Sequence, residues 1–260
     1  RGDIYIRLSG DHYVKLFSEG DAFEEADQQK YLVKKNIEYF YLKQTESAEF
    51  VDKYKKVLMD YLANASMSVA ETEEITVAVY DAVHELSLKM GFTEQVKELA
   101  KANVQLTLKA IGTSPKFKDL MLRIQKEKQK YISAHSLMIG HMACAIAKEM
   151  TWVTEATYHK LTMAAFLHDI TLTNEELARV RDLDELKKKL DHFTEKEIRA
   201  YEAHPSQAAD IARSFSAVPP DVDTIILQHH ERPDGLGFPR KLTAANISPM
   251  AAIFIVAHEI

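Results

Sequence analysis

A mainly helical protein with a small α+β unit at its N-terminus is the fold class this sequence predicts. Three observations carry that expectation. Gly and Pro together number only 15 in 260 residues, so chain breaks are scarce. From about residue 68 onward, apolar residues recur at helical spacing nearly throughout. Before that point, short runs alternate apolar and polar residues as half-buried strands do.

The elements follow in order. Asp3-Ile4-Tyr5-Ile6-Arg7-Leu8 and Tyr13-Val14-Lys15-Leu16-Phe17 flank the turn signal Ser9-Gly10-Asp11 and predict a β-hairpin. The aromatic run Ile37-Glu38-Tyr39-Phe40-Tyr41-Leu42 adds a third strand, with its aromatic rings read as core. Thr45, with Glu46 behind it, offers a helix start, and Phe50, Tyr54, Val57, Leu58 and Tyr61 continue at helical spacing. This closes an α+β unit at about residue 65. Helices are expected over Val69–Lys89, Thr93–Ile111, Lys116–Lys148 and Glu155–Asp169, with breaks at Gly91 and at Gly112-Thr113-Ser114-Pro115. Arg179–Lys196 is highly charged and poor in large apolar residues, and reads as an exposed helix or connector. The domain boundary is placed near Gly112, dividing the chain into 1–112 and 113–260. The apolar run Ala251–Ala257 stops just short of Ile260, midway along a buried helix, so the chain is expected to continue.

Composition removes several function classes. A net charge of −6 argues against a dedicated binder of nucleic-acid polymers, which would present a basic face. One cysteine, Cys144, excludes an internal disulfide and a Cys-rich zinc module. No apolar run reaches about 18 residues, so no membrane-spanning helix is expected. The unusual count is histidine, with eleven.

Five of these histidines and one aspartate share a pattern. His168-Asp169 follows Leu161, Ala164 and Ala165, so His168 continues an apolar stripe. His135 shares a helical face with Met138, Ile139 and Met142. His204-Pro205 sits where a helix should begin, because Pro suits the first helical position. His229-His230 ends the apolar segment that holds Ile225-Ile226. Burying so many imidazoles without partners would cost several kcal/mol. A shared cation removes that cost and holds the rings neutral as ligands. Imidazole with carboxylate admits Zn, Fe, Mn, Co or Ni. The set exceeds what one tetrahedral ion needs. A two-metal site of the kind that serves phosphoester hydrolysis fits better. His12, His84, His141, His159 and His192 read as surface or ordinary core. No HExxH, P-loop or GxSxG pattern is present.

At this point the residues resemble a known family. His135 with His168-Asp169 resembles the HD superfamily of metal-dependent phosphohydrolases. His229-His230-Glu231-Arg232-Pro233-Asp234-Gly235-Leu236-Gly237-Phe238-Pro239 looks very like the HHExxDGxGYP signature of its HD-GYP subgroup, and His204-Pro205 matches that subgroup's HP element. The resemblance covers roughly residues 115–260. It implies an HD-domain helical bundle and hydrolysis of cyclic di-GMP to pGpG or GMP in the bacterial cytoplasm. It implies that His135, His168 and Asp169 hold one divalent ion. Asp169 bridges to a second ion held by His204, His229 and His230. Asp169 and His168 carry the catalytic role, and iron, alternatively manganese, is favoured. Asp234, Gly235, Gly237 and Phe238 shape the loop beside the site, with Arg232, Arg240 and Lys241 as candidate phosphate contacts. Glu231 is read as a partner that orients an imidazole. By family habit, the N-terminal region is a regulatory domain.

The sequence departs from that family in several places. The signature Tyr is Phe238, and the Lys of the HDIGK pattern is Leu172. The late Asp ligand is His258, with Glu259 next door as an alternative, and an Arg six residues earlier is Ala252. A position that recruits a third metal in some members is Tyr131, so two ions are expected. Lost cations lower the expected rate. They also open a second reading, a degenerate module that binds metal or cyclic dinucleotide and signals through protein partners. The helices from Val69 to Ile111 either pack on the HD domain or form a homodimer contact.

Overall fold

The computed structural model describes residues 2–259, apart from 23, 36, 38, 64–66 and 114–130. The chain divides into two compact units, Arg1–Ala63 and Asn64–Ile260.

In the first unit, β1 (Ile4–Ser9) and β2 (His12–Phe17) form an antiparallel hairpin, with Ile6 opposite Val14 and Ser9 opposite His12. Gly10 takes the turn at φ +47°, a conformation that favours glycine. The short α1 (Glu25–Gln28) runs into a π-helical turn, Gln29–Lys34, and α2 (Ser47–Ala63) follows a 3₁₀ turn at Gln44–Glu46. The expected third strand is reduced to one bridge, in which Tyr5 and Tyr41 exchange two N–H···O bonds of 2.8 Å. Its aromatics are not core. Tyr39 is 56% exposed and Phe40 37%, while the half-buried Tyr41 packs edge-on against Tyr13 of β2 at 5.1 Å. Residues 36 and 38 of that stretch lie outside the described residues.

The second unit is helical. α3 (Val69–Met90) and α4 (Glu94–Thr113) pair, and they pack on α5 (Tyr131–Lys148) and α6 (Glu155–Leu167). This packing, absent from a boundary drawn near Gly112, starts the second unit at Asn64. The expected start of the α5 helix at Lys116 lies outside the described residues. A capping box starts α3: Glu71 N–H donates to Ser68 Oγ at 3.3 Å, and Ser68 N–H to Glu71 Oε2 at 2.9 Å.

After α7 (Glu175–Ala178), the charged connector forms α8 (Leu183–Lys188) and a 3₁₀ turn at Leu190–His192. It is not wholly exposed. Val180 and Leu186 bury with Leu177, Tyr201 and Phe238. Then follow α9 (Glu195–Ser214), α10 (Val222–Gln228) and α11 (Pro249–Glu259). The core runs through Leu99, Leu106, Ile139, Leu161, Met163, Leu167, Ile225 and Phe254, all fully buried. Among the described residues, no helix is long and apolar enough to cross a membrane.

One expectation fails locally. Pro205 does not begin a helix; it lies inside α9, which starts ten residues earlier. The true start is a second capping box, with Glu197 N–H on Thr194 Oγ1 at 3.3 Å and Thr194 N–H on Glu197 Oε2 at 2.9 Å.

Candidate metal centre

Three histidines are aimed by one device. His168 caps the C-terminus of α6, where helix carbonyls lose their amide partners, and its Nδ1–H donates to the Ala165 carbonyl at 2.9 Å. His229 caps α10 and donates Nδ1–H to the Ile226 carbonyl at 2.6 Å. His204 is mid-helix, where carbonyls are normally taken. Pro205 has no N–H to give the Tyr201 carbonyl four residues back, and that carbonyl accepts His204 Nδ1–H at 2.5 Å. The His-Pro pair thus creates inside a helix the free carbonyl that the other two find at helix ends.

This fixes the tautomers. A carbonyl only accepts, so Nδ1 carries a proton in all three rings, and in the neutral form Nε2 presents a lone pair. His204 Nε2 and His229 Nε2 face each other at 3.0 Å. Two lone pairs at that distance repel unless a cation or proton lies between them. Asp169 follows His168 directly in the chain. Its Oδ2 is 3.1 Å from His168 Nε2, while its Oδ1 is 3.3 Å from His204 Nε2 and 3.9 Å from His229 Nε2. One carboxylate therefore faces both groups of ligand atoms.

The structure brings together every residue that the sequence proposed as a ligand. One group is His135, His168, Asp169 and His258; the other is His204, His229 and His230; within each, the ligand atoms lie within 4.8 Å of one another. All seven residues are buried. His135 Nε2 and His258 Nδ1 are buried with no hydrogen-bond partner, the state expected of atoms reserved for a cation. His258 stands in the cluster, while the neighbouring Glu259 is exposed and outside it. Among the described residues, the set fits divalent cations: imidazole nitrogens and one carboxylate, oriented by backbone carbonyls.

Electrostatics agree. Burial, reinforced by the adjacent His168, pushes His135 down to about 3. Burial and the neighbouring imidazoles hold His229, His230 and His258 well below the usual histidine range. Burial alone would raise the Asp169 carboxyl, but His168 and His204 hold it well below the ordinary carboxylate range. His135, His229, His230 and His258 are therefore neutral donors near the Asp169 anion at neutral pH.

The signature segment forms the wall beside His230. Phe238 is buried and stacks on His230 at 4.5 Å with planes 15° apart, so the ring that replaces the signature Tyr is packed, with no hydroxyl required. Gly235 sits at φ +77°. At Gly237 a Cβ would lie 2.3 Å from Arg232 N and 2.5 Å from His230 O, so only glycine fits. Glu231 does not orient an imidazole. Its two carboxylate oxygens accept the Arg240 and Leu242 amides at 2.6 and 2.7 Å and tie the far side of the loop to the end of α10. Asp234 closes the turn by accepting Leu236 N–H at 3.0 Å. Of the candidate phosphate contacts, Arg232 lies among Asp234 at 2.9 Å, Asp184 at 3.7 Å and Asp182 at 3.8 Å, while Arg240 and Lys241 are exposed. Leu172, at the expected Lys position, is buried.

Two contributors were not singled out from the sequence. Tyr201 supplies the carbonyl that orients His204, and its ring packs on His204, His230 and Phe238. The missing N–H of Pro205 was the available signal. Glu175 reaches from α7 to accept the Ile132 amide at 3.0 Å, capping the helix that carries His135; no local sequence pattern announces that contact.

Comparison with known proteins agrees with this geometry. A family model for the HD domain matches residues 119–259. Among solved structures, the chain is similar to Bd1817, a HDG"Y"P protein from Bdellovibrio bacteriovorus, at 18% identity and a TM-score of 0.66, over 99% of this chain and 81% of that one. That likeness bears on the fold. No curated protein matches the chain. The chain belongs to the HD-domain family, and its segment 229–239 carries the HD-GYP signature with Phe in place of Tyr.

Proposed function

We propose that this HD-domain protein is a metal-dependent phosphodiesterase that hydrolyses cyclic di-GMP to linear pGpG or GMP. The observation that supports it most is the Asp169 carboxylate facing two groups of buried imidazoles, three of them oriented by backbone carbonyls. His135, His168, Asp169 and His258 would hold one divalent ion, and His204, His229 and His230, with Asp169, the other. Iron is favoured, and manganese is the alternative. Two such cations supply the positive charge that a phosphodiester needs as its transition state gathers negative charge.

The chain's own residues do the positioning. Ala165, Tyr201 and Ile226 fix three rings through their carbonyls. Phe238 holds His230 by stacking, and Gly237 lets the loop backbone close against residues 230–232. Asp169 carries the one formal negative charge within the cluster and balances part of the metal charge.

The test is direct. Anaerobically purified, iron- or manganese-loaded protein is incubated with cyclic di-GMP and a panel of other phosphodiesters, with products resolved by chromatography. Metal-dependent release of pGpG or GMP supports the proposal. Turnover of a different phosphoester alone would redirect it, and no turnover with any metal would refute it. A second reading, a metal- or ligand-binding module that signals through partners, is favoured by the buried Leu172 and by the carboxylates around Arg232. It requires full metal occupancy with ligand binding and no hydrolysis.

A further inference from the structure

Residual exposure shows which side of the centre meets solvent. His168, His204 and His229 are 0% exposed, whereas His135, His230 and His258 retain 4%, 6% and 7%. Solvent, and with it a substrate phosphate, comes nearest on the side of His135, His230 and His258.

Tyr131 stands at that side. Its ring stacks on His135 at 4.8 Å with planes 15° apart, and its hydroxyl lies 3.4 Å from His135 Nδ1. The Arg179 guanidinium, delivered by the C-cap of α7, lies 4.0 Å from the centre of the Tyr131 ring. Arg179 is held against the ring, with the Glu175 carboxylate also within its electrostatic reach. Its one ion pair among the described residues is with the exposed Glu176, at 4.0 Å, and its own side chain is 34% exposed. Arg232 differs, with three carboxylates around it. A planar guanidinium fixed by stacking and still partly exposed suits a phosphate oxygen pair.

We propose that Arg179, stacked on Tyr131 at the mouth of the centre, is a substrate-binding residue that receives the phosphodiester anion. The inference rests on the phosphodiesterase reading for its substrate. Its test is built on a simpler probe.

Inorganic phosphate is titrated calorimetrically into manganese-loaded full-length chain, wild type and Arg179→Gln, with Arg179→Lys as the charge-retaining variant. Arg199→Gln, exposed on α9, is the control. Arg179→Gln is expected to weaken phosphate binding at least about tenfold, with bound manganese unchanged, and Arg179→Lys to recover part of the loss. An affinity within about twofold of wild type, or wild-type protein that does not bind phosphate, overturns the inference. Loss of manganese or helicity in both Arg179 variants also overturns it, by making the stack structural. If cyclic di-GMP is not hydrolysed yet phosphate binding still depends on Arg179, the proposed activity fails and the residue assignment stands.

Discussion

Replacing Pro205 with Ala should make the protein slightly more stable and its centre worse. Proline in a helix interior costs about 3 kcal/mol relative to alanine. Pro205 is buried, and the substitution removes two ring methylenes, a loss of roughly 1.6 kcal/mol at about 0.8 each. The balance favours the variant by about 1 kcal/mol, a rise of about 2–4 °C in the melting temperature of metal-free protein. The restored amide takes the Tyr201 carbonyl that now receives His204 Nδ1–H at 2.5 Å. His204 then loses the contact that fixes its tautomer and aim. Loss of such an orienting partner lowers metal affinity about 10–100-fold. The assay pairs calorimetric melting of the metal-free protein with competitive metal titration. Unchanged metal affinity in a stable Pro205→Ala protein would show that the free carbonyl does not orient the ligand.

Three further outcomes follow from the same geometry. Gly237→Ala places a Cβ against the backbone of residues 230–232 and should destabilise the protein by about 1–3 kcal/mol in urea unfolding; a neutral result would contradict the close approach. Glu231→Gln leaves one of the two loop amides facing an amide NH₂ and should cost about 1–3 kcal/mol. Hydrogen exchange at Arg240 and Leu242 should speed up in that variant, and unchanged exchange would count against the clamp. His141, away from the ligand set, is pushed down to about 4 by burial, against 6.5 for an unburied ring. Between those values the unfolded chain binds the extra proton, so stability falls as pH falls, by up to about 3 kcal/mol. Denaturant midpoints of metal-free protein between pH 7 and 4 should therefore drop less steeply in His141→Gln than in wild type, and parallel slopes would refute this.

Most of the second unit was legible because apolar period and ligand chemistry point the same way. The stripe Leu161, Ala164, Ala165 and His168 describes both a buried helix face and the direction of a ligand. Places where two local signals compete were harder to read. At residues 194–205 Pro205 signals a helix start, yet the Thr194–Glu197 capping box sets the helix and the proline serves the site. Adjacency of Glu231 to His230 says nothing of which way the loop folds; its partners lie nine and eleven residues on. The aromatic run at 37–42 has strand composition, but composition alone does not supply the partner face that would make it a strand. Contacts such as Glu175 to Ile132 and Arg179 to Tyr131 cross between helices more than 40 residues apart, beyond what local period can encode.

The proposed two-metal centre consists of seven buried residues, Asp169 among them. Metal content per chain of anaerobically purified protein, measured by mass spectrometry beside Asp169→Asn, tests it most directly. The account predicts about two divalent ions per wild-type chain and a large loss in the variant. Wild-type protein that stays metal-free when offered iron and manganese, or an Asp169→Asn variant that keeps both ions, would contradict it.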